Sequence, residues 1–126
     1  MKSITLNLDI EELYKLNKFI EDTIHKNDFQ VELILEEIFV NIVKYSESDF
    51  LKVNAEYDGS LLTMEFIDNG IEFNPLLKEN PNLPSNIDDA KVGGLGIFLT
   101  KQMADNLEYE YANGENHLKI TKKVEQ

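Results

Sequence analysis

Glu37 and Asn41, four residues apart in "LEEIFVNIVKYS", would stack one turn apart on the same side of any helix that carries them. On a helical wheel Glu37 neighbours Leu33, Ile34 and Val40, a setting whose desolvation raises a carboxylate's pKa toward that of a general base. Asn41 offers a neutral oxygen of the kind magnesium accepts. Further on, "FIDNGIEFNP" puts Asp68 at the end of an apolar run, where a carboxylate is costly without a partner such as a ligand's amino group. "KVGGLGIFLT" then sets Gly93, Gly94, Leu95 and Gly96 directly before an apolar stretch. A glycine-rich turn that opens a helix presents unpaired N–H groups at the positive end of the helix dipole, a seat for an anion such as phosphate. Each group alone has a plain structural explanation: a polar stripe beside a core helix, a strand-ending turn, or glycines meeting positive φ and close packing.

These groups need a scaffold, and the periodicities supply one. "SITLNLDI" alternates as a strand, and Asp9 can cap a helix from about Glu11 to Lys26 with Leu13, Leu16, Phe19, Ile20 and Ile24 on its apolar face. In "FQVELILEEIFVNIVKYS" Val31, Ile34, Leu35, Ile38, Ile42 and Tyr45 share one face, and Phe29, Phe39 and Val43 add apolar surface, so this helix should be largely buried. "FLKVNAEY" and "LLTMEFI" flank an Asp-Gly turn, a hairpin signal, and Asn113-Gly114 marks another hairpin between two final strands. Between the Asp68 and glycine motifs, Ile71 to Val92 collects all three prolines and loses all periodicity. An irregular stretch of about twenty residues in so small a domain is uncommon and reads as a functional lid or disorder. A short helix from about Gly96 to Asp105 follows. Strands at both ends with helices between them predict an α+β two-layer sandwich, a mixed sheet covered by helices on one face.

The 126 residues suit a single domain. The absence of cysteine excludes disulfides and thiolate metal ligands and fits a reducing compartment. The amino terminus lacks the basic flank and apolar run of a signal peptide, which points to the cytoplasm. A net charge of −12 repels nucleic acid and anionic membranes and argues against both as partners. The same charge requires any bound polyphosphate to be neutralised by backbone amides, a helix dipole, a few lysines or a divalent cation.

In order along the chain, Glu37 with Asn41, the run Asp68 to Phe73, the long irregular segment and the turn Gly93 to Gly96 resemble the GHKL ATPase superfamily. Within it, "LEEIFVNIVKYS", "FIDNGIEFNP" and "GGLGIFLTKQMADNLEYEYANGENHLKITKK" look most like the stand-alone anti-sigma factors that are also serine kinases. The resemblance covers nearly the whole chain. It implies a histidine-kinase-like ATPase domain over residues 1–126 with the Bergerat-type ATP-binding fold, a lid at about 71–92, and ATP and Mg2+ as ligands. It gives Glu37 the activation of the attacking hydroxyl or water and Asn41 the magnesium, and it makes Asp68 the acceptor of the adenine amino group. Gly70 would let the base approach, Phe73 would follow it in the base-binding run, and Gly93, Gly94, Leu95 and Gly96 would line the triphosphate. It further implies sequestration of a sigma factor or other regulated protein, and phosphorylation of a serine on an anti-anti-sigma (STAS-type) protein. Homodimers are common in that family. Leu95 occupies a position where some relatives carry arginine, and residues 71–92 hold only Lys78 and Lys91 as cations, so neutralisation rests on magnesium and backbone.

Two other readings share the scaffold. The catalytic domain of a histidine kinase needs a phospho-accepting histidine on a dimerising helix pair, whereas His25 lies in a helix the domain needs for its own core, and His25 and His117 read as surface residues. A non-catalytic ATP-binding interaction module would have no need of Glu37 beside a metal ligand.

Overall fold

Each of the two helical segments before the second strand begins at an aspartate that accepts from an open N–H group of its first turn. In the computed structural model, which describes residues 1–72, 100 and 102–124, strand β1 (Lys2–Leu6) leads to Asp9. The Asp9 carboxylate accepts from the Glu11 N–H at 3.2 Å, starting a single 3-10 turn that runs into helix α1 (Leu13–Ile24). His25 ends α1 in the left-handed conformation, φ 62°, its N–H donating to the Glu21 carbonyl at 2.7 Å. Asp28 then caps helix α2 (Phe29–Tyr45) by accepting from the Val31 N–H at 3.0 Å. An aspartate in this role contributes about 1 kcal/mol to its helix.

The remaining strands are β2 (Leu51–Tyr57), β3 (Leu61–Asp68), β4 (Asn106–Ala112) and β5 (Glu115–Lys123), in the sheet order β1-β2-β3-β5-β4. Both hairpins form where turn chemistry predicts them. Asp58 accepts from the N–H groups of Ser60 and Leu61 at 2.9 and 2.7 Å, and Asn113 and Gly114 both take positive φ, as a tight hairpin that follows the strand twist requires.

The strands alternate. Leu51, Val53, Ala55, Leu62, Met64, Phe66, Leu118 and Ile120 point inward, against Leu16, Ile20 and Ile24 of α1 and Val31, Ile34, Leu35, Ile38 and Phe39 of α2. Apart from the small Ala55, each such side chain stabilises the fold by about 1.5–3 kcal/mol on burial, which binds the helix layer to the sheet. The outward face is polar, with Lys119 in register opposite both Glu65 and Glu108. Phe29, expected to add buried surface, is 76 % exposed because it shares the outward side of α2 with Glu36, seven residues on.

The α+β two-layer arrangement is the expected one. The sheet differs in one respect: every ladder described is antiparallel, where a mixed sheet was expected. Two helices joined by a short connection stand between β1 and β2, so the chain reverses three times and returns antiparallel. No helix among the described residues is long and apolar enough to cross a membrane.

Candidate functional site

The end of α2 meets the end of β3. The Ile71 N–H donates to the carbonyl of Ser46, the residue that caps α2, at 2.8 Å. Asn69 fastens the same junction, accepting from the Asp49 N–H at 2.9 Å while its own N–H donates to Ser48 Oγ at 3.1 Å. Between them Gly70 is pressed so closely to the helix end that a Cβ there would lie 2.0 Å from the Ser46 carbonyl oxygen. The sequence reading gave Gly70 to the approach of a base; the structure gives it a second and sufficient reason, contact with the helix that carries Glu37 and Asn41. Gly70→Ala must part the two elements, and a loss of about 1–3 kcal/mol or more is expected in urea unfolding, typical of forced overpacking.

Asn41 sits on α2 one turn after Glu37, 6 % exposed, and neither its Oδ1 nor its Nδ2 has a hydrogen-bond partner among the described residues. A buried amide left unsatisfied costs about 1–3 kcal/mol per group, so it calls for a partner that the polypeptide described does not supply. A divalent cation on the oxygen fits that demand. Among the described residues no group of three or more acidic or imidazole side chains forms a metal site of its own, so such an ion would depend on Asn41 and on ligand oxygens. Glu37 is half-buried, as the helical wheel suggested. Burial foremost, and then the neighbouring Glu36, hold its carboxyl above the ordinary glutamate range, with Lys44 pulling the other way.

Asp68 is 4 % exposed at the last position of β3. Its Oδ1 accepts from the Gly70 N–H at 2.9 Å and from Asn116 Nδ2 at 3.0 Å, while Oδ2 accepts from nothing among the described residues. Asn116 stands directly opposite Asp68 in the β3–β5 register and also donates to the Ile71 carbonyl at 2.8 Å. The phenol of Tyr109 donates to Asn116 Oδ1. Sequence reasoning missed Asn116 and Tyr109. The available signal was Asn116 on the inward face of β5 two positions before Leu118, a polar residue where the alternation calls for an apolar one.

The structure therefore brings Glu37, Asn41, Asp68 and Gly70 to two joined elements. Phe73, Gly93, Gly94, Leu95 and Gly96 lie outside the described residues, as does the expected lid beyond Glu72. Thr100, the first residue described after that gap, is helical and buried, and its Oγ1 has no partner among the described residues. His25 is exposed at the end of α1, and His117 is partly exposed near Glu115.

Known proteins resemble this chain in sequence or in fold. Residues 8–122 match the family described as the histidine kinase-like ATPase domain. A serine/threonine-protein kinase, BtrW of Bordetella bronchiseptica, is 33% identical over 60 residues, which are 48% of this chain and 42% of that protein. The match thus spans less than half of that relative's length. Among solved structures, the histidine kinase AdeS of Acinetobacter baumannii superposes with a TM-score of 0.57 at 12% identity, covering 100% of this chain and 69% of the other. The catalytic domain of histidine kinase ThkA gives 0.56 at 14% identity, covering 98% and 97%. The structural likenesses establish the fold, and the family match, which spans nearly the whole chain, establishes that this protein belongs to the histidine kinase-like ATPase domains.

Proposed function

We propose that the chain is a magnesium-ATP-dependent protein serine kinase of the anti-sigma type. In this role it sequesters a sigma factor or other regulated protein and phosphorylates a serine of a STAS-type antagonist in the cytoplasm. The observation that carries the reading is the buried amide of Asn41, unpartnered among the described residues, one helical turn from the half-buried carboxylate of Glu37, whose pKa is raised by burial. The family supplies ATP as ligand, and the relative named a serine/threonine-protein kinase supports serine as acceptor. Bound magnesium would neutralise phosphate charge, a need set by the protein's net charge of −12.

The chain's own residues divide the work. Asp68 orients the adenine through the oxygen it leaves open, and Asn41 is the residue that would hold a magnesium ion through its side-chain oxygen. Glu37 takes the proton of the serine hydroxyl as its oxygen bonds to the terminal phosphorus, and the bond to the departing ADP breaks. The product is phosphoserine, ADP and a proton held on Glu37. A carboxylate poised above the ordinary glutamate range is better matched to that transfer near neutrality than an exposed one.

The test is phosphate transfer from labelled ATP, with magnesium, to the STAS-type proteins of the source organism. Label on a single serine of one of them is expected. ATP bound by the chain with no phosphoserine on any of them overturns the transfer step.

A further inference from the structure

Asp68 is held by a chain of side chains that crosses three strands. Tyr109 of β4 stands opposite Leu118 in the β4–β5 register, so its phenol reaches Asn116 across the diagonal, and Asn116 lies directly opposite Asp68 on β3. The Asp68 carboxylate and the Ile71 carbonyl can only accept, so they face the nitrogen of the Asn116 amide and leave its oxygen to take the phenol's hydrogen. With Oδ1 turned to Tyr109, Asn116 presents Nδ2 to Asp68 Oδ1 at 3.0 Å and to the Ile71 carbonyl at 2.8 Å. Asp68 Oδ1 then serves two donors, since the Gly70 N–H also reaches it at 2.9 Å, and the carboxylate plane is set. The oxygen that remains, Oδ2, can only accept when the group is ionised.

We propose that Tyr109 and Asn116 are positioning residues that set base selectivity at the nucleotide site. They aim Asp68 Oδ2 as a fixed acceptor, which takes an exocyclic amino group at the purine 6-position and repels the carbonyl oxygen found there in guanine. This inference rests on the ATP reading above. It adds that discrimination depends on a relay from the edge strand β4, and that the same amide ties the exit of β3 at Ile71 to the base-recognising carboxylate. Without the phenol the amide keeps Nδ2 toward Asp68 and Ile71 but loses the contact that holds its other end, and its plane can tilt; without the amide, Oδ1 loses a donor and the carboxylate can swing.

The experiment measures dissociation constants for ATP and GTP, each with magnesium, in wild type, Tyr109→Phe and Asn116→Leu. In wild type ATP should bind at least tenfold more tightly, the order expected of one charge-assisted bond gained or lost. The GTP-to-ATP ratio should fall about threefold in Tyr109→Phe and about tenfold in Asn116→Leu, chiefly through weaker ATP binding. Partial unfolding lowers the active fraction for both nucleotides alike and leaves the ratio where it was, so the ratio separates positioning from mere structural support. If Asn116→Leu does not fold, Tyr109→Phe decides the matter alone. A wild-type ratio in Tyr109→Phe, or in a folded Asn116→Leu, overturns the relay while leaving the ATP reading standing. A wild type with no preference for ATP overturns both.

Discussion

Asp68→Ala should abolish about half or more of the thermal stabilisation that magnesium-ATP confers on the wild type. A ligand present at a hundred times its dissociation constant stabilises the native state by about 2.7 kcal/mol. A hydrogen bond to a charged group contributes about 1.5–3 kcal/mol, so its loss weakens binding roughly ten- to a hundredfold. At the same ATP concentration the stabilisation then drops to about 0.4–1.4 kcal/mol. The mutant should also fold less stably without nucleotide, since Asn116 Nδ2 and the Gly70 N–H both lose the oxygen they donate to. The informative quantity is therefore the shift in melting temperature on adding ATP, mutant against wild type, each relative to its own ligand-free value. A full shift in Asp68→Ala would remove the aspartate from base recognition.

Glu37 and Asn41 should fail in opposite ways. Glu37→Ala keeps the amide of Asn41 and should bind magnesium-ATP as well as or better than wild type, because an acidic group near the phosphates is gone. Phosphate transfer should nevertheless fall about a hundredfold or more, the contribution of a positioned base. Asn41→Ala should instead lose the magnesium dependence of ATP binding itself. The pH dependence has a definite sign. Burial, and after it Glu36, raise the folded-state pKa of Glu37, so its contribution to folding is complete below the unfolded value and is lost as pH rises through the folded one. Glu37→Gln should thus be neutral to stabilising at pH 7 while abolishing the base. In wild type the transfer rate should decline as pH falls through a midpoint above the ordinary glutamate range. Wild-type rates in Glu37→Ala would pass the role of base to Glu36 or to the substrate.

Local chemistry made most of the scaffold legible. Asp9 and Asp28 cap the two helices they precede, and Asp58-Gly59 and Asn113-Gly114 turn the two hairpins, because capping and turn geometry depend on residues a few positions apart. Glu37 and Asn41 were legible for the same reason, since i and i+4 on a helix fixes a shared side. The sheet's strand order and its antiparallel pairing throughout depend on how two helices return the chain to the sheet, which no short window reports. The relay was hidden in the same way: Asp68 and Asn116 are 48 residues apart in sequence and become neighbours only through the β3–β5 register. Gly70 shows a third case. Its place in the motif was evident, yet its contact with Ser46 depends on the angle at which β3 leaves the end of α2.

The most direct test of magnesium-ATP binding at this junction is the amide NMR spectrum of the wild-type protein titrated with ATP, once with magnesium and once with EDTA. The account predicts saturable shifts of the Gly70 N–H and of the Asn41 side-chain amide with magnesium-ATP. In EDTA the Asn41 signal should stay in place or move only at much higher ATP concentration. Shifts confined to residues away from Asn41, Asp68 and Gly70, or an Asn41 signal that responds identically with and without magnesium, would contradict it.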